Sequence, residues 1–179
     1  MNIIVNPYGG GPCYCRPDTT WERENKDFYL PDCITELYWT PVAFAKISKA
    51  GKCIGKKFAS RYYDACGYGI LMYCKVEGSE DLVTCVDHTS ILPVPAADDA
   101  DGEYKVLIDG NTVFSANGAE GEQMDEAICN ASALTSIRIG DYIAVELDCK
   151  TILGNRKTGN MEISGQHQDK QIFSTKVIF

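Results

Sequence analysis

Hydrophobic and polar positions alternate along most of this chain, and the alternation predicts a β-rich fold. Residues 3–5 and 13–16 read as short strands around the turn Gly9-Gly10-Gly11. Residues 19–27 are polar and charged and read as a loop, and 28–30 as a short extended piece stopped by Pro31. A long strand is predicted within 35–48. Pro41 interrupts it; proline cannot donate to a ladder, so an edge position or a bulge is expected there. Residues 60–65 read as one helical turn, 67–73 and 82–86 as strands, and 93–102, with two prolines, as a loop. Two β-prone runs flank Asp109-Gly110, a pair suited to a tight type I′ hairpin turn. Residues 121–134 carry Met124, Ala127, Ile128, Ala131 and Leu134 at three- and four-residue spacing, which predicts an amphipathic helix with that face inward. Strands are expected at 142–147, 161–164 and 172–179, with a turn region at 154–159.

Composition narrows the picture. The chain has 179 residues, 45% of them hydrophobic, enough for one domain (residues 1–179) with a substantial core. A net charge of −8 argues against nucleic acid or an anionic membrane as the main partner. No apolar run approaches the ~18 residues of a membrane span. The N-terminus lacks the basic and apolar regions of a secretory signal. The nine cysteines form no compact disulfide framework, so reduced thiols in a cytoplasmic protein are expected. Cys53, Cys66, Cys74, Cys85 and Cys129 stand among apolar residues and read as small core or near-core groups.

The most informative stretch is GKCIGKKFASRYYDACGYGI, from Gly51 to Ile70. With Arg16-Pro17-Asp18-Thr19, Leu30-Pro31, Ile108-Asp109-Gly110, Ile139-Gly140-Asp141 and Ser164-Gly165-Gln166-His167, it resembles the fumarylacetoacetate hydrolase family in order and spacing. The resemblance implies a mixed β-rich α+β fold, a β-roll wrapped around few helices, and a homodimer. It also implies Mg²⁺ or Ca²⁺ held by three carboxylates, a Glu-x-Glu pair on a strand and an Asp after the block. Hard cations want such oxygen ligands, and the metal acts as a Lewis acid on an oxo-acid substrate.

Counted from Gly51-Lys52, the carboxylate positions fall on Thr40, Val42 and Leu71. Only Thr40 keeps an oxygen, so no bound divalent metal or other cofactor is expected. The family's lysine falls near Thr84, and its Thr-Gly-Thr-Pro loop on Val145-Glu146-Leu147-Asp148. The shortened N-terminus, with eight residues between Pro7 and Arg16, leaves no room for the family's His–Glu lid. The leading expectation is a non-catalytic relative that binds a small molecule or partners an active paralogue. The rival is a divergent hydrolase, isomerase or decarboxylase acting on acylpyruvates or related oxo-acids.

The remaining candidates are weighed against plainer roles. Arg16, Glu36, Trp39, Glu146 and Asp148 are candidate linings of a ligand pocket. By period-2 alternation Glu36, Tyr38, Thr40 and Val42 share one strand face, so Glu36 is a candidate for a relocated carboxylate. Tyr38, Trp39 and Phe44 crowd this strand and either fill the old cavity or line an apolar pocket. Cys13 and Cys15 share a strand face, as a soft-metal or redox pair would, but no second Cys/His pair stands at zinc-finger spacing. Asp87 is placed to orient His88, with no identifiable nucleophile; His167 reads as a turn or strand-end residue. Lys52 and Arg61 are candidates for binding a small anion, while Arg61 and Asp64 read as fixing the local fold. The Gly9-Gly10-Gly11 run lacks the Lys-Ser/Thr ending and the helix of a phosphate loop.

Overall fold

The computed structural model describes residues 1–93, 102–117 and 121–179, without the side chain of Glu122. In chain order the elements are β1 (Asn2–Asn6), β2 (Tyr14–Pro17), β3 (Trp21–Glu22), β4 (Phe28–Tyr29), β5 (Ile34–Ile47), α1 (Lys56–Ala59), β6 (Tyr63–Val76), β7 (Leu82–Val83) and β8 (Ser90–Ile91). There follow β9 (Glu103–Ile108), β10 (Asn111–Asn117), α2 (Gly121–Leu134), β11 (Tyr142–Glu146), β12 (Thr151–Asn155), β13 (Met161–His167) and β14 (Lys170–Ile178). A nine-stranded sheet runs β2-β1-β11-β5-β6-β8-β3, with β12 also on β5 and β7 on β6. A five-stranded sheet runs β10-β9-β13-β14-β4. The larger sheet is nearly closed, the barrel-like β-roll expected. No helix among the described residues is long and apolar enough to cross a membrane.

β5 is the spine. Neither of its sides is an edge: β6 pairs along one, β11 and β12 along the other. Pro41 therefore sits in a central strand, against the expectation of an edge or bulge; the bulges lie at 34–36 and 45–47. Leu147 N–H donates to the Pro41 carbonyl at 2.9 Å, so Pro41 turns its nitrogen toward the same side. That nitrogen falls in the gap between the end of the β12 pairing at Trp39 and the start of the β11 pairing at Val42. The missing donor removes no ladder bond there.

Because β5 keeps its alternation through Pro41, its two faces enter two cores. Leu37, Trp39, Ala43, Ala45 and Ile47 join the larger one, which α2 and the second sheet cover with Ile128, Ala131, Tyr104 and Ile163. Val42 and Phe44 join Ile3, Val5, Leu71, Tyr73, Leu92, Tyr142 and Ala144 in a second cluster, with Tyr38 packed on it. Each fully buried apolar side chain of this size contributes about 1.5–3 kcal/mol. Tyr104, wholly buried, donates its hydroxyl to the Gly69 carbonyl at 2.8 Å and ties the second sheet to β6. Gly69 has no room for a side chain, because a Cβ would collide with the Ile91 carbonyl oxygen of β8.

Several sequence expectations hold. Asp109 and Gly110 both take positive φ, 48° and 77°, as a type I′ turn requires. The helix runs Gly121–Leu134, with Met124, Ala127, Ile128 and Ala131 buried.

Others are corrected. Leu134, at the helix end, is exposed. The helical turn lies at Lys56–Ala59, and 63–65 already belong to β6. The region read as a turn at 154–159 begins inside β12. Residues 19–27 include Trp21–Glu22, paired in parallel with β8. Cys53 and Cys85 are exposed, so only Cys74 of the five is fully buried, with Cys66 and Cys129 half-buried. The loop expected at 93–102 lies, apart from its ends, outside the described residues.

Candidate functional site

The register places the expected ligand positions together. Thr40 faces Leu71 across β5–β6, and Val42 faces Gly69. Val42 and Leu71 are wholly buried in the second cluster and offer no ligand atoms. Thr40 donates its hydroxyl to the Asp148 carbonyl at 2.6 Å, so its single oxygen closes a loop.

One carboxylate does reach this face. Glu146, at the end of β11, lies opposite Val42. Lys150 Nζ stands 2.8 Å from each of its oxygens. Oε1 also accepts the Tyr73 hydroxyl at 2.5 Å and the Tyr14 hydroxyl at 2.9 Å, and Oε2 accepts Tyr8 N–H at 3.0 Å. Burial would push the Glu146 carboxyl up, but Lys150, Tyr73 and the Tyr8 N–H outweigh it and hold the group below the usual range. Burial drives the Tyr73 and Tyr14 hydroxyls well up, so both stay protonated donors. Their oxygens lie 2.7 Å apart. The cations of Lys150 and Arg16 lie 4.7 and 5.1 Å from the Tyr73 ring centre.

Arg16 is fully buried and serves as a clamp. Its Nε donates to the Thr84 carbonyl at 2.9 Å, and its Nη2 to the Met72 carbonyl at 2.8 Å and the Thr89 hydroxyl at 2.6 Å. The position expected to match the family's lysine thus contributes its backbone oxygen. Glu36 accepts the Tyr38 hydroxyl at 3.0 Å and faces Lys75 Nζ at 3.8 Å. The Asp148 carboxylate accepts the neighbouring Cys149 N–H at 2.7 Å. Trp39 packs in the larger core, on the other side of β5 from Val42. The five candidate pocket residues therefore do not converge on one cavity.

A Mg²⁺ or Ca²⁺ ion needs six or more oxygens, several of them anionic. The residues at this face do not fit one: two positions are apolar, the third donates to a carbonyl, and the nearby carboxylate is already paired with an ammonium group. Among the described residues no group of three or more His, Cys, Asp or Glu is arranged to hold a metal ion.

The other candidates have distinct surroundings. His88 is oriented by Glu22, not by its neighbour Asp87: Nδ1 lies 2.7 Å from Glu22 Oε2. No local pattern signals this pair. It follows from the parallel pairing of β3 with β8, which joins segments about seventy residues apart. His167 ends β13, with its ring 5.0 Å from Tyr68. Cys13 and Cys15 are free thiols, half-buried and exposed. Arg61 lies 5.2 Å from the Phe58 ring, and Asp64 accepts the Ser48 hydroxyl at 3.1 Å, both within the local scaffold. Lys52 is exposed.

No family model matches the sequence, and no curated protein matches it. Solved structures do. One is a protein described as a fumarylacetoacetate hydrolase family member, from Yersinia pestis CO92, at a TM-score of 0.76 and 12% identity over 99% of this chain and 92% of the other. A fumarylpyruvate hydrolase from Pseudomonas aeruginosa, solved in complex with Mn²⁺ and pyruvate, gives 0.78 and 12% over 100% and 90%. A 2-hydroxyhepta-2,4-diene-1,7-dioate isomerase from Mycobacterium marinum gives 0.79 and 13% over 99% and 74%. The fold is that of the fumarylacetoacetate hydrolase family, shared here with hydrolases and isomerases alike.

Proposed function

We propose that this chain is a degenerate fumarylacetoacetate hydrolase relative without metal-dependent chemistry, acting as a binding protein or as the partner of an active paralogue. The observation that carries this reading is the state of the metal-strand face. Val42, Leu71 and Tyr73 fill it, and the Glu146 carboxylate beside them is engaged by Lys150 and two tyrosine hydroxyls. Selection for a metal site would not keep an ammonium group in contact with the carboxylate nearest to it. The resemblance supports a homodimer, and nine free thiols accord with a reducing cytoplasm. Calorimetric titration with Mg²⁺, Mn²⁺ and Ca²⁺ tests the proposal: no binding tighter than millimolar is expected, and micromolar affinity for any of them overturns it.

A second reading rests on the same cluster. Tyr14, Tyr73, Glu146 and Lys150 form a buried acid–base network, which supports a divergent hydrolase, isomerase or decarboxylase that turns over oxo-acids without the family's metal. Turnover of an acylpyruvate by the purified chain, abolished in Glu146→Gln and unaffected by a chelator, would establish it in place of the first.

A further inference from the structure

Away from the metal-strand face, β3 and β8 frame an open cleft. Two cavities, about 370 and 630 Å³, share Glu22, Lys26, Asp87 and His88 as walls. Phe28, Tyr29, Pro31 and Val86 form the apolar part of the larger one, which is of a size that holds a small molecule.

The shared wall is built with care. The Glu22 side chain is 3% exposed, and besides His88 it accepts the Glu24 N–H at 2.6 Å. The fixed Glu22 carboxylate engages Nδ1, which leaves Nε2 as the nitrogen open to a ligand on a ring 57% exposed; in a neutral imidazole so held, that nitrogen is an acceptor. His88 adopts φ 60°, with its N–H bonded to the Thr19 carbonyl at 3.2 Å. A non-glycine residue in this left-handed region is uncommon, and here the turn brings the imidazole over the cavity wall.

The charges decide what fits. Lys26 is engaged by Glu24, 2.6 Å away. Asp27 and Asp87 also line the larger cavity and form no ion pair among the described residues. The larger cavity thus presents these two carboxylates and the His88 imidazole beside an aromatic wall, while Arg23, stacked 4.4 Å over the Trp21 ring, lines only the smaller one.

We propose that this cleft binds a small organic cation: an amine carried on an aromatic or compact aliphatic body, its ammonium held by Asp87, Asp27 and His88 Nε2 and its body against Phe28 and Tyr29. The inference goes beyond the loss of metal chemistry and does not depend on it. Metal titration reports on the Glu146 face and the imidazole spectrum on the cleft, so either can fail alone.

The full chain, ¹⁵N-labelled, is titrated with benzylamine, with benzoate as the anionic and benzyl alcohol as the neutral counterpart. Long-range ¹H–¹⁵N spectra contain only two imidazoles, His88 and His167, assigned with His88→Gln. Benzylamine is expected to shift His88 saturably and leave His167 in place. Asp87→Asn, a surface change that leaves folding intact, is expected to weaken binding about tenfold, the loss of one charge-assisted contact. Benzoate or benzyl alcohol binding as tightly as benzylamine overturns the proposal. So does the absence of a saturable His88 shift at millimolar benzylamine, or an undiminished affinity in Asp87→Asn.

Discussion

Glu146 lies directly opposite Val42 across the β5–β11 pair. A carboxylate thus stands beside a position where the family's pattern would put one, but it comes from the neighbouring strand and brings its own counter-ion. The charge at this face is held in an internal Glu146–Lys150 ion pair, and this arrangement has measurable consequences.

Removing the counter-ion leaves a buried anion with hydroxyl and N–H partners only. Lys150→Met is expected to destabilise the chain by about 1–3 kcal/mol; the lysine side chain is 28% exposed, and solvent screening keeps the cost below that of a fully buried pair. Urea unfolding of the two proteins gives the difference, and an unchanged midpoint would show that Lys150 only decorates the site.

The same carboxylate makes stability depend on pH. Its folded value is held below the usual range, against burial, by Lys150, Tyr73 and the Tyr8 N–H, while in the unfolded chain it returns to about 4.3. Between the two values the unfolded chain binds more protons, so stability rises with pH. The contribution is complete above about pH 5 and is lost as pH falls through the folded value. Glu146→Gln is expected to flatten this acid limb in urea-midpoint measurements between about pH 3 and 6.

Gly69 offers a steric test of the signature block. Gly69→Ala drives a Cβ into the Ile91 carbonyl oxygen, a backbone atom that cannot swing away. A loss of about 2 kcal/mol or more is expected. Gly78→Ala, where nothing lies within 4 Å but φ is +77°, serves as the comparison and is expected to cost about 1 kcal/mol from backbone strain alone. Thermal unfolding orders the two.

Thiol chemistry separates the cysteines. Burial pushes the Cys74 thiol up to about 12 and that of Cys66 to about 11, so neither forms thiolate near neutrality. Cys33, Cys53, Cys85 and Cys149 are exposed; Cys15 is exposed too, but partial burial of its thiol pushes it up. Iodoacetamide at about pH 8 is expected to label these four first in the native chain, and Cys74 only after unfolding, as peptide mass spectrometry would show.

Local signals in the chain served where the physics is local. The Asp109-Gly110 turn and the buried side of α2 depend on nearest neighbours and helical period, and both were legible. Leu134 shares that period but lies at the helix end, where it is exposed. The tolerance of Pro41 in a central strand depends on where β12 stops and β11 begins, a property of two other strands that no local signal carries. The candidate pocket suffered the same limit. Alternation set Trp39 apart from Val42, yet nothing local showed that both faces of β5 are buried.

By itself the sequence determined a β-rich chain with the scaffold block of a known enzyme fold and apolar residues at two of three ligand positions. The β-rich reading follows from residue type and spacing; the block and the ligand positions follow from the resemblance to the fumarylacetoacetate hydrolase family. The tertiary structure decided which groups meet: Glu146 with Lys150, Tyr14 and Tyr73; Arg16 with the carbonyls of Met72 and Thr84; His88 with Glu22. Each of these contacts except the Glu146–Lys150 pair joins residues far apart in the chain. Hydrogen bonds and ion pairs act over a few ångströms, and only strand pairing brings such distant residues within that reach.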